Sequence, residues 1–258
     1  MKTLTCLALG LLFSATAMAN TASQNKAEFC ADRESAEYYQ KLLLNKENRL
    51  SFTNHGGLAN GGVCWWHSRF TRKAAYLAIY RPELPKPSKE EAYDIVLAIR
   101  MGNKVVEVPG YRNLYEFSRD YKDVIQQRLE RWQVGDGFMR QQWTVGLWGA
   151  SQVSADEMRE RMDELYEEVV ENNDVAYQVL QIKGVVAHAW LVVDMERTAN
   201  GYELQVIDSN YMTPTSFSYT HGMTNLRYPY WGQFVPRTGK KSEMNKMKKI
   251  VSKFCKNI

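Results

Sequence analysis

Three side chains in this sequence are of types that together perform acyl chemistry: Cys64, His188 and Asp208. Cys64 stands in Gly61-Gly62-Val63-Cys64-Trp65-Trp66-His67. Two glycines let the backbone turn tightly and allow a substrate to approach closely. The stretch 65–80 contains neither Gly nor Pro and reads as a helix, so the thiol opens that helix. There the positive end of the dipole favours a thiolate, which is the nucleophilic form. The same unpaired N–H groups suit a developing oxyanion. His188 is the one ionisable residue in the apolar run 185–193, and a buried histidine needs a polar partner. The segment Val206-Ile207-Asp208-Ser209-Asn210 ends the next strand-like run, so either Asp208 or Asn210 is placed to reach the far ring nitrogen. That contact fixes the tautomer and supports the imidazolium formed when the thiol gives up its proton. Taken singly, each residue has an ordinary alternative: a small buried Cys, a core His, a strand-end Asp. Their joint arrangement favours chemistry.

Cysteine arithmetic separates Cys64 from the rest. Lys2, a short apolar run over 7–13 and Ala17-Met18-Ala19 before Asn20 describe a cleavable signal over residues 1–19. Removing it takes Cys6 and leaves Cys30, Cys64 and Cys255, an odd number in a disulfide-permissive compartment. A Cys30–Cys255 bridge would tie both ends of the chain and leave Cys64 as the odd thiol. Three reduced thiols, or a bridge that uses Cys64, remain open alternatives. The protein is expected to be secreted or periplasmic. No Cys stands at the cleavage point to take a lipid, and no later apolar run approaches the roughly 20 residues of a spanning helix. The formal net charge of +4 becomes +3 without Lys2, too slight an imbalance to imply nucleic acid.

The elements that must position these residues follow from pattern. Residues 24–48 fit one or two helices, and 51–62 form a loop rich in Asn and Gly. A helix over 65–80 stops at Pro82, Pro85 and Pro87; Ser88 and Glu91 form a capping box for another over 89–100. A short strand over 104–108 precedes a long amphipathic helix over 113–133, and Ser154 with Glu157 caps a helix reaching about 171. The runs 175–182, 185–193 and 202–207 are β-branched or aromatic and read as an antiparallel meander. Helices first and sheet later give an α+β protein whose two parts pack together. Residues 20–258 form a single domain in this reading: a helical lobe over about 20–172, a β lobe over about 173–239 and a basic terminal helix over 240–258.

A Gly-x-Cys-Trp helix start, then a strand His, then an Asp or Asn ending the following strand, resembles the papain-like superfamily of cysteine peptidases. The interval from Cys64 to His188 is 124 residues, close to the roughly 130–150 of papain-type enzymes. The resemblance covers about 40 residues in two segments. It implies a helical lobe bearing Cys64, a β lobe bearing His188 and Asp208, and a cleft between them. It also implies a thioester acyl-enzyme and a peptide or protein substrate, with no cofactor. Papain-like peptidases usually carry an oxyanion-hole Gln shortly before the nucleophile; residues 53–63 contain none, and Asn54 and Asn60 are the substitutes at hand. Nor is there length before Cys64 for a long inhibitory pro-segment. His188-Ala189-Trp190 with Asp208 also resembles the transglutaminase-like branch of the same broad fold, which implies a transglutaminase, deamidase or cell-wall amidase on the same residues. The missing Gln leaves a third option, a non-catalytic binding module that keeps the fold.

Other signals are weaker. His55 and His67 lie near Cys64 but read as surface or loop residues, and His221 as a turn residue. No Cys or His pair has metal-ligand spacing. The basic tail over 240–256 sets Met244, Met247, Val251 and Phe254 at helical spacing, which describes a helix packing its apolar face beside Cys255 more than one lying on an anionic surface. The aromatic stretch 202–231 reads as core strands, with lining a substrate groove as its alternative.

Overall fold

A computed structural model describes residues 21–35, 37–57, 62–140, 151–182, 187–229 and 232–256. The expected signal over 1–19 and the candidate Asn60 lie outside these. The described chain is α+β, with a helical part first and a six-stranded antiparallel sheet after it.

Helices α1 (Lys26–Glu34) and α2 (Tyr38–Leu44) open the chain, and the Asn25 side chain caps α1 by accepting from the Glu28 N–H. Helix α3 (Cys64–Leu77) has no side-chain N-cap at Val63, and all fourteen of its residues are buried. It is therefore the central helix, and its cations must be neutralised inside the protein. Strand β1 (Ala78–Arg81) follows directly and pairs in parallel with β2 (Val106–Pro109), across α4 (Lys89–Met101). The Ser88–Glu91 capping box is formed, and α4 ends on Gly102 at φ 57°, a left-handed cap that glycine takes without strain. Helices α5 (Leu114–Asp120) and α6 (Lys122–Arg140) come next, then α7 (Ala155–Tyr166), capped by Ser154 and closed by a π-helical turn over Glu167–Glu171.

The sheet has the order β6-β5-β4-β3-β8-β7. Its strands are β3 (Ala176–Ile182), β4 (Ala187–Thr198), β5 (Gly201–Asp208), β6 (Thr215–Thr220), β7 (Leu226–Tyr228) and β8 (Gly232–Gly239). Strand alternation sends β4 side chains to two cores. Ala189, Leu191 and Val193 join the core around α3, while Trp190 and Val192 join a second core with Phe234, Leu204, Val206 and Met158 and Met162 of α7. Phe217 of β6 stacks on Tyr228 of β7 at 6.1 Å, so the two edges of the sheet curl toward one another. The terminal helix α8 (Lys241–Cys255) buries Met244, Met247 and Val251, and Cys255 is bonded to Cys30 as expected from the count.

Several boundaries differ from the sequence reading. The helix expected over 65–80 ends at Leu77, because the segment with the β-favouring Ile79 and Tyr80 finds a strand partner in β2. The short strand expected over 104–108 runs Val106–Pro109. The long helix expected over 113–133 is two helices: Tyr121 leaves the helical region at ψ 30°, its hydroxyl bonds the Pro87 carbonyl, and α6 then continues to Arg140. Strands β6, β7 and β8 extend the predicted three-stranded meander to six.

Candidate active site

The register of the sheet brings His188 and Asp208 together. Trp190 pairs with Asp208 across β4 and β5, so His188, two residues earlier on the same face, is its diagonal neighbour. His188 Nε2 lies 2.8 Å from Asp208 Oδ1, and both side chains are almost wholly buried. Asp208 rather than Asn210 is thus the partner of the imidazole. The carboxylate also accepts from the Asn210 backbone N–H at 2.8 Å and, on Oδ2, from the Tyr228 hydroxyl at 2.7 Å. Burial would raise the Asp208 pKa, but the hydrogen bond and charge of His188, with Tyr228 and Asn210, hold it below the usual carboxylate value.

Cys64 opens α3 and is in no disulfide. Its sulfur is hydrogen-bonded to the His188 side chain; since Asp208 engages Nε2, the nitrogen left for the thiol is Nδ1. Burial alone would lower the His188 pKa, but the charge of Cys64, the hydrogen bond of Asp208 and the hydrogen bond of Cys64 outweigh it and raise the value to about 9. The imidazolium therefore persists at neutral pH between a sulfur and a carboxylate. Below, Ser68 Oγ donates to the Ala189 carbonyl at 3.1 Å, tying the second turn of α3 to the strand that bears His188. On the face of β4 that also bears His188, Trp190 Nε1 donates to Gln178 Oε1 at 2.9 Å, which pairs two buried polar groups on adjacent strands.

The first turn of α3 has its own partners. Val63 N–H donates to Asn54 Oδ1, and Trp66 N–H donates to Gln133 Oε1 at 3.3 Å. Asn54, a candidate oxyanion donor by sequence, also gives its amide N–H to Asn210 Oδ1 at 3.0 Å, so the structure uses it to hold the loop. A glutamine does reach helix α3, but from α6 and not from the segment before Cys64. Nothing local to Cys64 in sequence could have pointed to Gln133, nor to Tyr228, whose strand pairs with β8.

The remaining histidines separate. His67, expected at the surface or in a loop, is buried: Nε2 sits 2.8 Å from the Phe52 carbonyl, and burial pushes its pKa down to about 4, which keeps it neutral. His55 is exposed on its loop, with Nδ1 2.7 Å from the Thr53 carbonyl, and His221 is exposed in a turn. Among the described residues no cluster of His, Cys, Asp and Glu could hold a metal ion, and no helix is long and apolar enough to cross a membrane. Comparison with protein-family models, with curated proteins and with solved structures finds no match.

Proposed function

We propose that the chain is an exported cysteine-nucleophile enzyme of papain-like architecture that hydrolyses amide bonds in peptides or proteins. The observation that carries this reading is the chain of contacts from the Cys64 sulfur through the His188 ring to the Asp208 carboxylate, at the start of a buried helix. Cys64 Sγ attacks the amide carbonyl carbon, and the oxyanion forms at the N-terminal turn of α3. His188 gives its Nδ1 proton to the leaving amine as the C–N bond breaks and the thioester remains. It then takes a proton from water, whose oxygen displaces the sulfur, and Asp208 holds the ring in one tautomer throughout. The helical part bearing Cys64 and the antiparallel sheet bearing His188 and Asp208 support the papain-like comparison. The Cys30–Cys255 bridge and the amino-terminal address support a place outside the cytoplasm.

An aspartate, in place of the papain-type Asn, supports a second reading on the same residues, transfer of the acyl group to an amine. Product analysis with and without a primary amine separates the two. The reading as a whole is tested by iodoacetamide alkylation mapped by mass spectrometry. Cys64 should react at pH 6 at least about tenfold faster than an ordinary thiol, and His188→Ala should abolish the advantage. A Cys64 that reacts no faster than a model thiol, or equally fast without His188, would sink it.

A further inference from the structure

We propose that Asn54 is a positioning residue: with Asn210 it forms a clasp that holds the nucleophile loop against the strand end bearing Asp208, and so sets the distance from Cys64 to His188. The proposal rests on the function proposed above. Three contacts build the clasp. Asn54 Oδ1 accepts the N–H of Val63, the residue before the nucleophile. Asn54 Nδ2 donates to Asn210 Oδ1 at 3.0 Å. The Asn54 backbone N–H donates to the Ser209 carbonyl at 2.6 Å. Asn210 in turn gives its backbone N–H to Asp208 Oδ1, the oxygen that holds His188 Nε2. A connected set of bonds therefore runs from the residue before the thiol to the acid that orients its base, bridging the two parts of the fold outside the Cys64–His188 contact itself.

An independent feature of the loop agrees. Gly62 has φ +85°, and a Cβ there would lie 2.5–2.9 Å from the Asn54 amide. Residue 62 is thus bare where the clasp passes, and its own N–H donates to the Gly56 carbonyl at 2.8 Å to shape the turn. Without the clasp, Val63 N–H loses its acceptor, and the remaining contacts of the first turn of α3, such as Trp66 N–H to Gln133 Oε1, lie further along the helix. Misplacement of a reacting group by about 1 Å can cost on the order of 100-fold in rate.

The test compares Asn54→Ala, Asn54→Asp and Gly62→Ala with the native protein, each checked for a cooperative melt. Asn54→Asp keeps an acceptor for Val63 and can take a bond from a turned Asn210 amide, so it is the rescue variant. Two readouts are taken: hydrogen exchange at the Val63 amide, which reports the clasp itself, and the pH profile of Cys64 alkylation. Asn54→Ala and Gly62→Ala should lose exchange protection at Val63, slow alkylation at pH 6 about tenfold or more and move the profile toward that of His188→Ala. Asn54→Asp should stay within about threefold of native. Combining Asn54→Ala with His188→Ala should add little to His188→Ala alone, because both act through one contact. Unchanged Val63 protection in Asn54→Ala, a native pH profile in that variant, or an additive double variant overturns the clasp. A native protein whose alkylation ignores His188 instead overturns the enzyme, and the exchange readout still decides the clasp.

Discussion

At the scale of single residues, the charge state of His188 decides what the site can do. Its pKa is raised to about 9 from an ordinary 6.5, so the folded protein holds a proton there that the unfolded chain releases near neutrality. The stabilisation this gives is fully present below pH 6.5 and is lost as pH rises through about 9. The melting temperature should therefore fall between pH 7 and 9, and that fall should shrink in His188→Gln; a slope independent of residue 188 would contradict the ion-pair geometry. The three proposed site residues were legible in the sequence because each lies in a local pattern: a Gly-flanked helix start, one ionisable group in an apolar run, a carboxylate closing a strand. The shared face of 188 and 208 was not, because a register shift between Val192 and Asp194 decides which residue of β4 stands opposite Asp208. Tyr228 was not legible, because its contact with Asp208 depends on the sheet curling through β8 and β7. His67 was misjudged for a related reason: on a helix buried all round, its position on the helix gives no sign of a wet side.

At the scale of elements, α3 explains why the helical half was harder to read than the sheet. Its sequence carries Arg69, Arg72 and Lys73, which suggests a solvated face, yet all three are buried. The compensation comes from the far end of the chain. Glu243, in the first turn of α8, accepts from Arg69 Nη2 at 2.7 Å and Arg72 Nη2 at 3.0 Å, and lies 2.9 Å from Lys73 Nζ. Asp136 of α6 takes the other arm of Arg69 at 3.1 Å. Burial would raise the Glu243 pKa, but Arg69 first, then Lys73 and Arg72, bring it down to about 2. The Lys73 ammonium, pulled down by burial against the pull of Glu243, sits at about 8. Glu243→Ala would leave three buried cations with one carboxylate between them, and should cost about 3–5 kcal/mol in chemical denaturation. A loss below about 1 kcal/mol would show the cluster to be solvated. No sequence window contains both 69–73 and 243, so the pairing was invisible, although the amphipathic pattern of α8 itself was plain.

For the whole molecule, the bridge from Cys30 to Cys255 spans 225 residues and joins the first helix to the last, with Cα atoms 5.7 Å apart. Counting thiols found this pair, because position near opposite termini is a global property that a linear sequence displays directly. The division into helical and sheet-rich parts was visible for the same reason, since the change in residue texture near 175 precedes β3. How the two parts meet was not, because that depends on α3 lying under β4 with Ser68 bonded to the Ala189 carbonyl.

In a chain from which the expected signal over 1–19 and its Cys6 have been removed, three thiols present the unfolded state with a kinetic choice. Cys30 and Cys64 are 34 residues apart, against 225 for the native pair. By loop-closure statistics the shorter ring forms about 17-fold more readily, an advantage of roughly 1.7 kcal/mol. The proposed nucleophile is therefore also the main competitor for the bond that fastens the two ends, and a chain oxidised before it folds tends to consume its own reactive group. Cys64→Ser should raise the yield of the correctly bridged monomer on oxidative refolding, read from non-reducing peptide maps. In the native chain, added thiol–disulfide exchange activity should do the same, and an unchanged yield in both cases would mean that folding brings residues 30 and 255 together before oxidation acts.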